Sequence, residues 1–433
     1  GLLPLLFAGG FAGEIHATEA TASLCEIMLR DSAHIQEFEA EWRNRKAMRN
    51  GGDPYVPLYT MDEALGALKL FVPHRYQKKF TLFPGMDVRF IDAGHLLGSA
   101  SIELWLTENE VQKKLIFSGD IGNLNQPLIR DPQVPQEADY VIMESTYGNR
   151  LHEKPKGYLP GLVNVLRETF SRGGSLIIPS FAVGRTQEML YYFKQIKDQK
   201  LLPEFGDFPI YMDSPLAIEA TDIFMRNKES CFDEEALSYV QRGENPIGVS
   251  GLIPAVTSEA SKAINADKRP KVILSASGMC DAGRIKHHLK HNLWKPENTI
   301  LFVGYQAEGS LGRKIVEGAH YVTLFGENVQ VKAQIVQLQG MSGHADQKGL
   351  MSWISAIHGV QKVFVIHGAA ESADCLRDKI WYDLGLDAYA PYSGAEFDIA
   401  EGVAIVTKKG CRYFTDSRYI ESAEKNLKGF EVL

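Results

Sequence analysis

The sequence predicts an α/β protein of two domains, the second inserted into the first. Three observations carry that prediction. At 433 residues the chain is too long for one hydrophobic core. Strand-like and helix-like segments alternate over most of its length. The pattern also changes twice, which places one domain over residues 1–150, an insertion over 151–332 and the returning part of the first domain over 333–433.

The elements follow in order. Residues 16 to 50 are charged and read as helix. Asp87-Val-Arg-Phe-Ile91, Ser101-Ile-Glu-Leu-Trp-Leu106 and Lys114-Leu-Ile-Phe117 read as consecutive strands, with a further strand at Tyr140-Val-Ile-Met143. From about residue 150 the units become strand, small-residue loop, helix. Ser175-Leu-Ile-Ile-Pro179 leads through Ser180-Phe-Ala-Val-Gly-Arg185 to a helix from Gln187. Lys271-Val-Ile-Leu274 leads through Ser275-Ala-Ser-Gly-Met279 to a helix carrying His287 and His288. Thr299-Ile-Leu-Phe-Val303 leads through Gly304-Tyr-Gln-Ala-Glu-Gly-Ser310 to a helix from Leu311. Strands return at Lys332-Ala-Gln-Ile-Val-Gln-Leu338 and Lys362-Val-Phe-Val-Ile366.

Composition narrows the class. Hydrophobic residues make up 45% and charged residues 23%, as in a soluble globular protein. No apolar run approaches the ~18 residues of a membrane span, so no membrane is expected. The apolar opening from Gly1 to Phe7 lacks the basic start and cleavage site of a signal peptide. Cys25, Cys231, Cys280, Cys375 and Cys411 are scattered and form no C-x-x-C pair. That predicts a reducing, cytoplasmic setting and argues against a thiolate zinc site. The net charge of −8 does not by itself predict a nucleic-acid partner, which usually leaves a basic footprint.

The residues that carry chemistry stand at strand ends. His95 follows Phe90-Ile-Asp-Ala-Gly94. Asp120 follows Leu115-Ile-Phe-Ser-Gly119. Glu144 follows Tyr140-Val-Ile-Met143, and His367 follows Val363-Phe-Val-Ile366. His344 and Asp346 follow Val336-Gln-Leu-Gln-Gly-Met-Ser-Gly343. Ligands in α/β folds gather beyond the carboxyl ends of strands, and imidazole with carboxylate suits zinc or another divalent ion. Each residue alone also fits a structural role: Asp120, Glu144 or Asp346 as a cap, the histidines as turn residues. The shared context of all of them favours one cleft. By contrast, His287, His288 and His291 lack the glutamate of an H-E-x-x-H site, and an exposed histidine-rich helix describes them better.

Three loops between strand and helix could hold phosphate through free backbone N–H groups and the helix dipole. They contribute Ser180 and Arg185, Ser277, Gly278 and Arg284, and Gly309, Ser310 and Arg313, whose guanidinium groups can add bidentate contacts. Small residues also make tight βα turns. Three such loops, each with an arginine, point to a polyanionic substrate.

These motifs resemble the metallo-β-lactamase/β-CASP nucleases over nearly the whole chain. Gly94-His95-Leu-Leu-Gly-Ser99 resembles the family's third metal motif and Ser118-Gly-Asp120 its fourth. Glu144-Ser-Thr-Tyr-Gly148, Ser342-Gly-His344-Ala-Asp346 and Ile366-His367-Gly368 resemble the three β-CASP motifs. Pro179 to Glu188, Tyr211 to Ala217, Ser277 to Arg284 and Gly304 to Arg313 match in the same order. The resemblance implies an αββα metallo-β-lactamase sandwich with an inserted Rossmann-like β-CASP domain, and a two-zinc hydrolase. His95 and His367 would each bind one ion and Asp120 would bridge them. Two ions ~3.5–4 Å apart can activate a hydroxide and hold both oxygens of an in-line displacement. His344 would be the general acid and Glu144 would orient it. Histidine at position 367 is the choice of RNA-processing members, so the resemblance implies an RNA substrate, cut by endo- or 5′-to-3′ exonucleolytic action in processing or decay. It leaves room for a homodimer or a processing complex.

The departure lies at the start. The sequence holds no H-x-H-x-D-H motif. Its opening Gly1-Leu-Leu-Pro4 is expected to follow directly on that motif in a longer protein. The chain as given is then expected to bind metal poorly and to be close to inactive. A DNA nuclease of the same superfamily and a non-catalytic RNA-binding scaffold are the alternatives. Retention of His95, Asp120, Glu144, His344 and His367 argues against the second.

Overall fold

The computed structural model describes residues 1–50, 53–152, 157–338, 342–399, 405–408 and 410. Residues 339–341 within the strand-like run before His344, Cys411, and residues 411–433 of the returning part lie outside the described residues.

The first part holds α1 (Leu3–Ala8), β1 (Ile15–Thr18), α2 (Glu19–Asn50), α3 (Met61–Leu68), β2 (Phe71–His74) and β3 (Lys79–Phe83). It continues with β4 (Met86–Asp92), β5 (Ala100–Glu108), β6 (Val111–Phe117) and β7 (Tyr140–Met143). The inserted part runs α4 (Tyr158–Ser171), β8 (Leu176–Pro179), α5 (Arg185–Asp198), β9 (Ile210–Met212), α6 (Pro215–Arg226), α7 (Lys228–Cys231), α8 (Glu234–Gln241) and β10 (Leu252–Pro254). Then come α9 (Ser258–Ile264), β11 (Val272–Ser275), α10 (Ile285–Asn292), β12 (Thr299–Phe302), α11 (Leu311–Val316), β13 (Tyr321–Leu324), β14 (Glu327–Gln330) and β15 (Gln334–Gln337). The returning part holds α12 (Gln347–Ser355), β16 (Lys362–Val365), α13 (Ala370–Lys379), β17 (Ala388–Tyr389), β18 (Glu396–Asp398) and β19 (Ile405–Lys408).

The first and last parts build one seven-stranded sheet in the order β17-β16-β7-β6-β5-β4-β3. Strands β3 to β6 are antiparallel neighbours, while β6, β7, β16 and β17 run parallel. The chain leaves this sheet after β7 and returns to β16, its direct partner. Alternation decides which face each residue serves. Val141, Met143, Val363 and Val365 point to a core with Leu350, Trp353 and Leu376 of α12 and α13. Tyr140, Ile142 and Phe364 point the other way, toward Phe397 of β18.

The inserted part is a six-stranded parallel sheet, β10-β9-β11-β8-β12-β15. Its central strands β8, β11 and β12 are short runs buried on both faces, as crossover helices require. Leu176 and Ile178 enter one core while Ile177 enters the other, and Leu274 and Ile273 divide the same way. Two observations refine the sequence reading. Ile15–Thr18 is a strand paired with Phe71–His74, although residues 16 to 50 read as helix, because β1 is too short to show a period. Strand β15 is hydrogen-bonded to β12 and belongs to the six-stranded sheet, so the chain recrosses only beyond it. The long helix α2 joins the two parts: Ala20, Leu24 and Ile27 lie in the same core as Ala220 and Ile223 of α6. Among the described residues, no helix is long and apolar enough to cross a membrane.

Candidate active site

The carboxyl ends of β4, β6, β7 and β16 lie along one edge of the seven-stranded sheet, and each is followed by one of the expected residues. His95 comes after β4, Asp120 after β6, Glu144 after β7 and His367 after β16. His344 reaches the same place from the loop before α12. There Asp346 caps the helix by accepting from the Gly349 N–H at 2.9 Å. Asp346 also accepts from the His152 N–H at 3.0 Å, and the His152 ring bonds the His344 carbonyl at 2.9 Å. The cap therefore fixes the loop that presents His344. Sequence reading missed His152, whose role depends on a contact 192 residues away.

Glu144 is buried and fully used. Its Oε1 accepts from the Ile121 N–H at 2.7 Å and from His344 Nδ1 at 3.1 Å, and its Oε2 accepts from the Thr146 N–H at 3.2 Å. Burial alone would raise this carboxyl. The bonds from His344, Thr146 and Ile121 outweigh burial and hold it below its ordinary value. For His344 burial disfavours the charge, yet the hydrogen bond and charge of Glu144, helped by Asp120, hold its imidazole above the ordinary value. His95 differs. Burial, and then the neighbouring His344, keep it below its ordinary value, which favours the neutral form in which histidine ligates metals.

Asp120 sits between the imidazoles. His367 Nε2 lies 3.2 Å from its Oδ1 and His95 Nε2 lies 4.0 Å from its Oδ2. One donor atom from each of His95, Asp120 and His344 falls within 4.8 Å of the others. His367 adopts a left-handed φ of +50°, unusual outside glycine. Its backbone is held there because the Ser145 N–H and Oγ donate to the His367 and Ile366 carbonyls. Close approach also matters at Gly122. A Cβ there would lie 1.8 Å from the Gly94 carbonyl oxygen, so no larger residue lets the His95 loop pack against the strand-end loop behind Asp120.

These residues fit a metal. The buried His95 Nδ1 has no hydrogen-bond partner, and the backbone at Gly343 packs so near that a Cβ there would lie 2.9 Å from His95 Cε1. A neutral imidazole held in place beside a carboxylate is a ready ligand pair.

Two members of the cluster, His95 and His344, line a cleft of about 950 Å³ between the two sheets, while Asp120, Glu144 and His367 are not among its lining residues. Met28, Asp31 and Ile35 of α2 form one wall, and loops after β8, β9, β11 and β12 form the other. Of the eight residues expected at phosphate, Arg185, Ser277 and Arg284 line this cleft, whereas Ser180, Gly278, Gly309, Ser310 and Arg313 are not among its lining residues. Ser180 turns inward and bonds Thr186 Oγ1 at 2.8 Å. Ser310 caps α11. Arg313 pairs with Glu317 at 2.5 Å. Arg284 is already engaged: it donates to Asp213 Oδ1 at 2.7 Å and to the Ala255 and Val256 carbonyls. Arg185 pairs with buried Glu188. The histidine-rich helix divides in two: His288 is buried and bonds Asp213 Oδ2 at 2.6 Å, while His287 and His291 face outward. Asp213 ends β9 before Ser-Pro, the same strand-end signal that marked Asp120 and Glu144, and it received no role from sequence.

An imidazole–carboxylate cluster at strand ends beside a cleft between two sheets is the arrangement that metal-dependent hydrolases use. Residues 186–315 match the Beta-Casp domain, and residues 328–391 match the Zn-dependent metallo-hydrolase RNA specificity domain. The chain is 37% identical over 371 residues to a ribonuclease of Thermus thermophilus, covering 86% of this chain and 79% of that protein. It is 31% identical over 386 residues to an RNase J-like protein of Methanocaldococcus jannaschii, covering 88% and 82%. It is 29% identical over 400 residues to the transcription termination factor FttA of Methanosarcina mazei, and there it spans only 60% of the relative. The chain belongs to the metallo-β-lactamase/β-CASP ribonuclease family.

Proposed function

We propose that this protein is a zinc-dependent ribonuclease that hydrolyses RNA phosphodiester bonds with two ions, in RNA processing or decay. The observation that carries the reading is the Glu144–His344 pair, whose imidazole lies close to Asp120 and lines the cleft. His95 and His367 would each ligate one ion, with Asp120 shared between them. When bound, zinc supplies Lewis acidity at the phosphoryl group and neutralises charge on the attacking and leaving oxygens.

The chain's own residues then do the rest. As a water oxygen bonds to phosphorus and gives up its proton to solvent, the opposite P–O bond breaks and His344 hands its proton to the leaving ribose oxygen. Glu144 fixes the ring through Nδ1 and keeps the proton on it to higher pH than an ordinary histidine would allow. Ser277, and the Arg185 and Arg284 side chains held by Glu188 and Asp213, line the opposite wall along which the substrate backbone would lie. A reducing, cytoplasmic setting agrees with the free thiols of Cys25, Cys231, Cys280 and Cys375.

Cleavage of matched RNA and DNA oligonucleotides by the full-length gene product tests the reading. RNA is expected to be the better substrate, and efficient DNA cutting without RNA cutting would sink it. His344→Ala is expected to lower RNA cleavage by about 10²- to 10⁴-fold while metal content stays near wild type. Loss of both metals in that variant contradicts its role as acid.

A further inference from the structure

We infer that helix α10 and the tip of the β13–β14 hairpin form a second contact surface for single-stranded RNA, outside the cleft. The inference rests on the ribonuclease reading and extends it to a surface that takes no part in the chemistry.

The sequence of α10 and its flanks is unlike the rest of the chain. Between Asp281 and Glu297 there is no carboxylate, yet Arg284, Lys286, Lys290 and Lys295 stand there with three histidines, in a protein of net charge −8. The structure sorts these residues by face. Ile285, His288, Leu289 and Asn292 are buried, and the His288–Asp213 bond locks the helix rotation. Lys286, His287, Lys290 and His291 are thereby turned away from the core. Lys290 meets the carboxylate of Glu327 at 2.6 Å on the surface. An exposed pair of this kind is weak and screened, so a phosphate can displace the carboxylate.

Two exposed aromatic rings stand among the cations. Phe325, at the hairpin tip, is 50% exposed and Trp294, just beyond α10, is 52% exposed. Phe325 stacks on His287 with centroids 4.4 Å apart and has Lys286 Nζ 5.4 Å from its centre. Lys295 Nζ lies 5.5 Å from the Trp294 ring. Cations that follow a backbone, interleaved with aromatic faces on which bases stack, are what sequence-tolerant single-strand recognition needs. An acidic protein segment would satisfy the lysines but leave the rings without bases.

Placement gives the surface a purpose. Ser277 and Arg284, just before α10, line the catalytic cleft, whereas Asn292 and Lys295 line a small polar cavity at the opposite end of the six-stranded sheet. Helix α10 therefore leads away from the cleft for about 12 Å. A strand whose scissile phosphate lies at the cleft can continue along it.

The experiment compares full-length wild type with a Lys286→Gln, Lys290→Gln, Lys295→Gln triple variant and with Phe325→Ala. The substrates are an oligoribonucleotide that fills only the cleft and one long enough to reach α10. For the long RNA, the triple variant is expected to raise KM by about 10- to 100-fold near 0.1 M salt, with kcat unchanged and the slope of log affinity against log salt reduced by about 2. Phe325→Ala is expected to weaken the same substrate about fivefold. The short RNA is expected to show no change, and melting temperature controls for folding. Wild-type values for the long RNA in both variants overturn the inference, as does an equal loss on both lengths. Loss of binding to an acidic peptide without loss of long-RNA binding overturns it in favour of a protein partner. If wild type itself cuts no RNA, the ribonuclease reading fails first. If wild type cuts both lengths and the variants match it, only the surface fails.

Discussion

Replacing Glu144 by Gln tests the centre of the site, because Glu144 accepts at both oxygens. Its Oε1 takes the Ile121 N–H and His344 Nδ1, and its Oε2 takes the Thr146 N–H. A glutamine has one acceptor oxygen and one donor NH2. Whichever way it turns, a donor faces a backbone N–H, which costs about 1–3 kcal/mol for the buried group left unsatisfied. Losing the charge-assisted bond to His344 adds about 1.5–3 kcal/mol. Glu144→Gln is therefore expected to destabilise the fold by about 3–5 kcal/mol. Without the carboxylate, His344 also loses what holds its proton, so the single-turnover rate on RNA is expected to fall by about 10²- to 10⁴-fold, or about 3–5 kcal/mol in barrier. The assay is single-turnover cleavage by the full-length gene product below its melting temperature, with bound metal quantified in the same sample. Bis(p-nitrophenyl) phosphate serves as a second substrate, since nitrophenolate leaves without a proton. The rate on that ester should stay within about tenfold of wild type. An equal loss on both substrates, or loss of the metal, refutes the acid role of His344 and the positioning role of Glu144.

Three further outcomes are expected. His288→Ala leaves the fully buried Asp213 carboxylate with Arg284 and Ser261 alone and should cost about 1–3 kcal/mol for the buried acceptor left unsatisfied, read by urea denaturation; no measurable loss contradicts the assigned pairing. Gly122→Ala forces a Cβ to within 1.8 Å of the Gly94 carbonyl and should cost about 3 kcal/mol and weaken metal binding through the His95 loop, seen by thermal melting and metal titration. Burial pushes the Asp92 carboxyl up to about 7 from 3.8. The folded state thus keeps a proton that the unfolded chain releases, and this stabilising contribution is full below pH 3.8 and is lost as pH rises toward about 7. Asp92→Asn can still accept from the Gly94 N–H, so it should remove that slope and exceed wild-type stability above pH 7 by as much as about 4 kcal/mol; parallel stability–pH curves for the two proteins would show the assignment to be wrong.

Much of the first domain and its cluster was legible because the information was local. A strand-end ionisable residue beside glycine or serine can be read from a few residues, and adjacent strands turn that pattern into convergence. Strands β4, β6, β7 and β16 lie within one sheet, so His95, Asp120, Glu144 and His367 share an edge. The parts that stayed hidden depend on distant pairing. Strand β15 looked like the start of the returning domain because nothing in Gln334–Gln337 names its neighbour; hydrogen bonds to β12 do. Asp213 and His288 are 75 residues apart, and neither shows alone that it is buried. Helix α2 gives no sequence sign that Met28 and Ile35 wall the cleft, since their partners belong to the inserted domain.

The same distinction resolves the conflict between net charge and substrate. A chain of net charge −8 repels a polyanion at long range, but at ~0.15 M salt that repulsion is screened beyond about 8 Å. What a phosphate feels at contact is local. The arginines of the three loops do not supply that local field: Arg284 is committed to Asp213 and two carbonyls, Arg185 meets Glu188, and Arg313 meets Glu317. Much of the positive charge near the cleft is thus paired within the protein, where it fixes the loops that shape the cleft wall. The carboxylate-free stretch from Lys286 to Lys295 gathers its lysines on an outward face instead. Chemistry and grip are then separable. On the proposed reading the strand-end cluster carries the chemistry and α10 the grip on a long strand, so removing lysines from α10 should change salt dependence without changing the cleavage step.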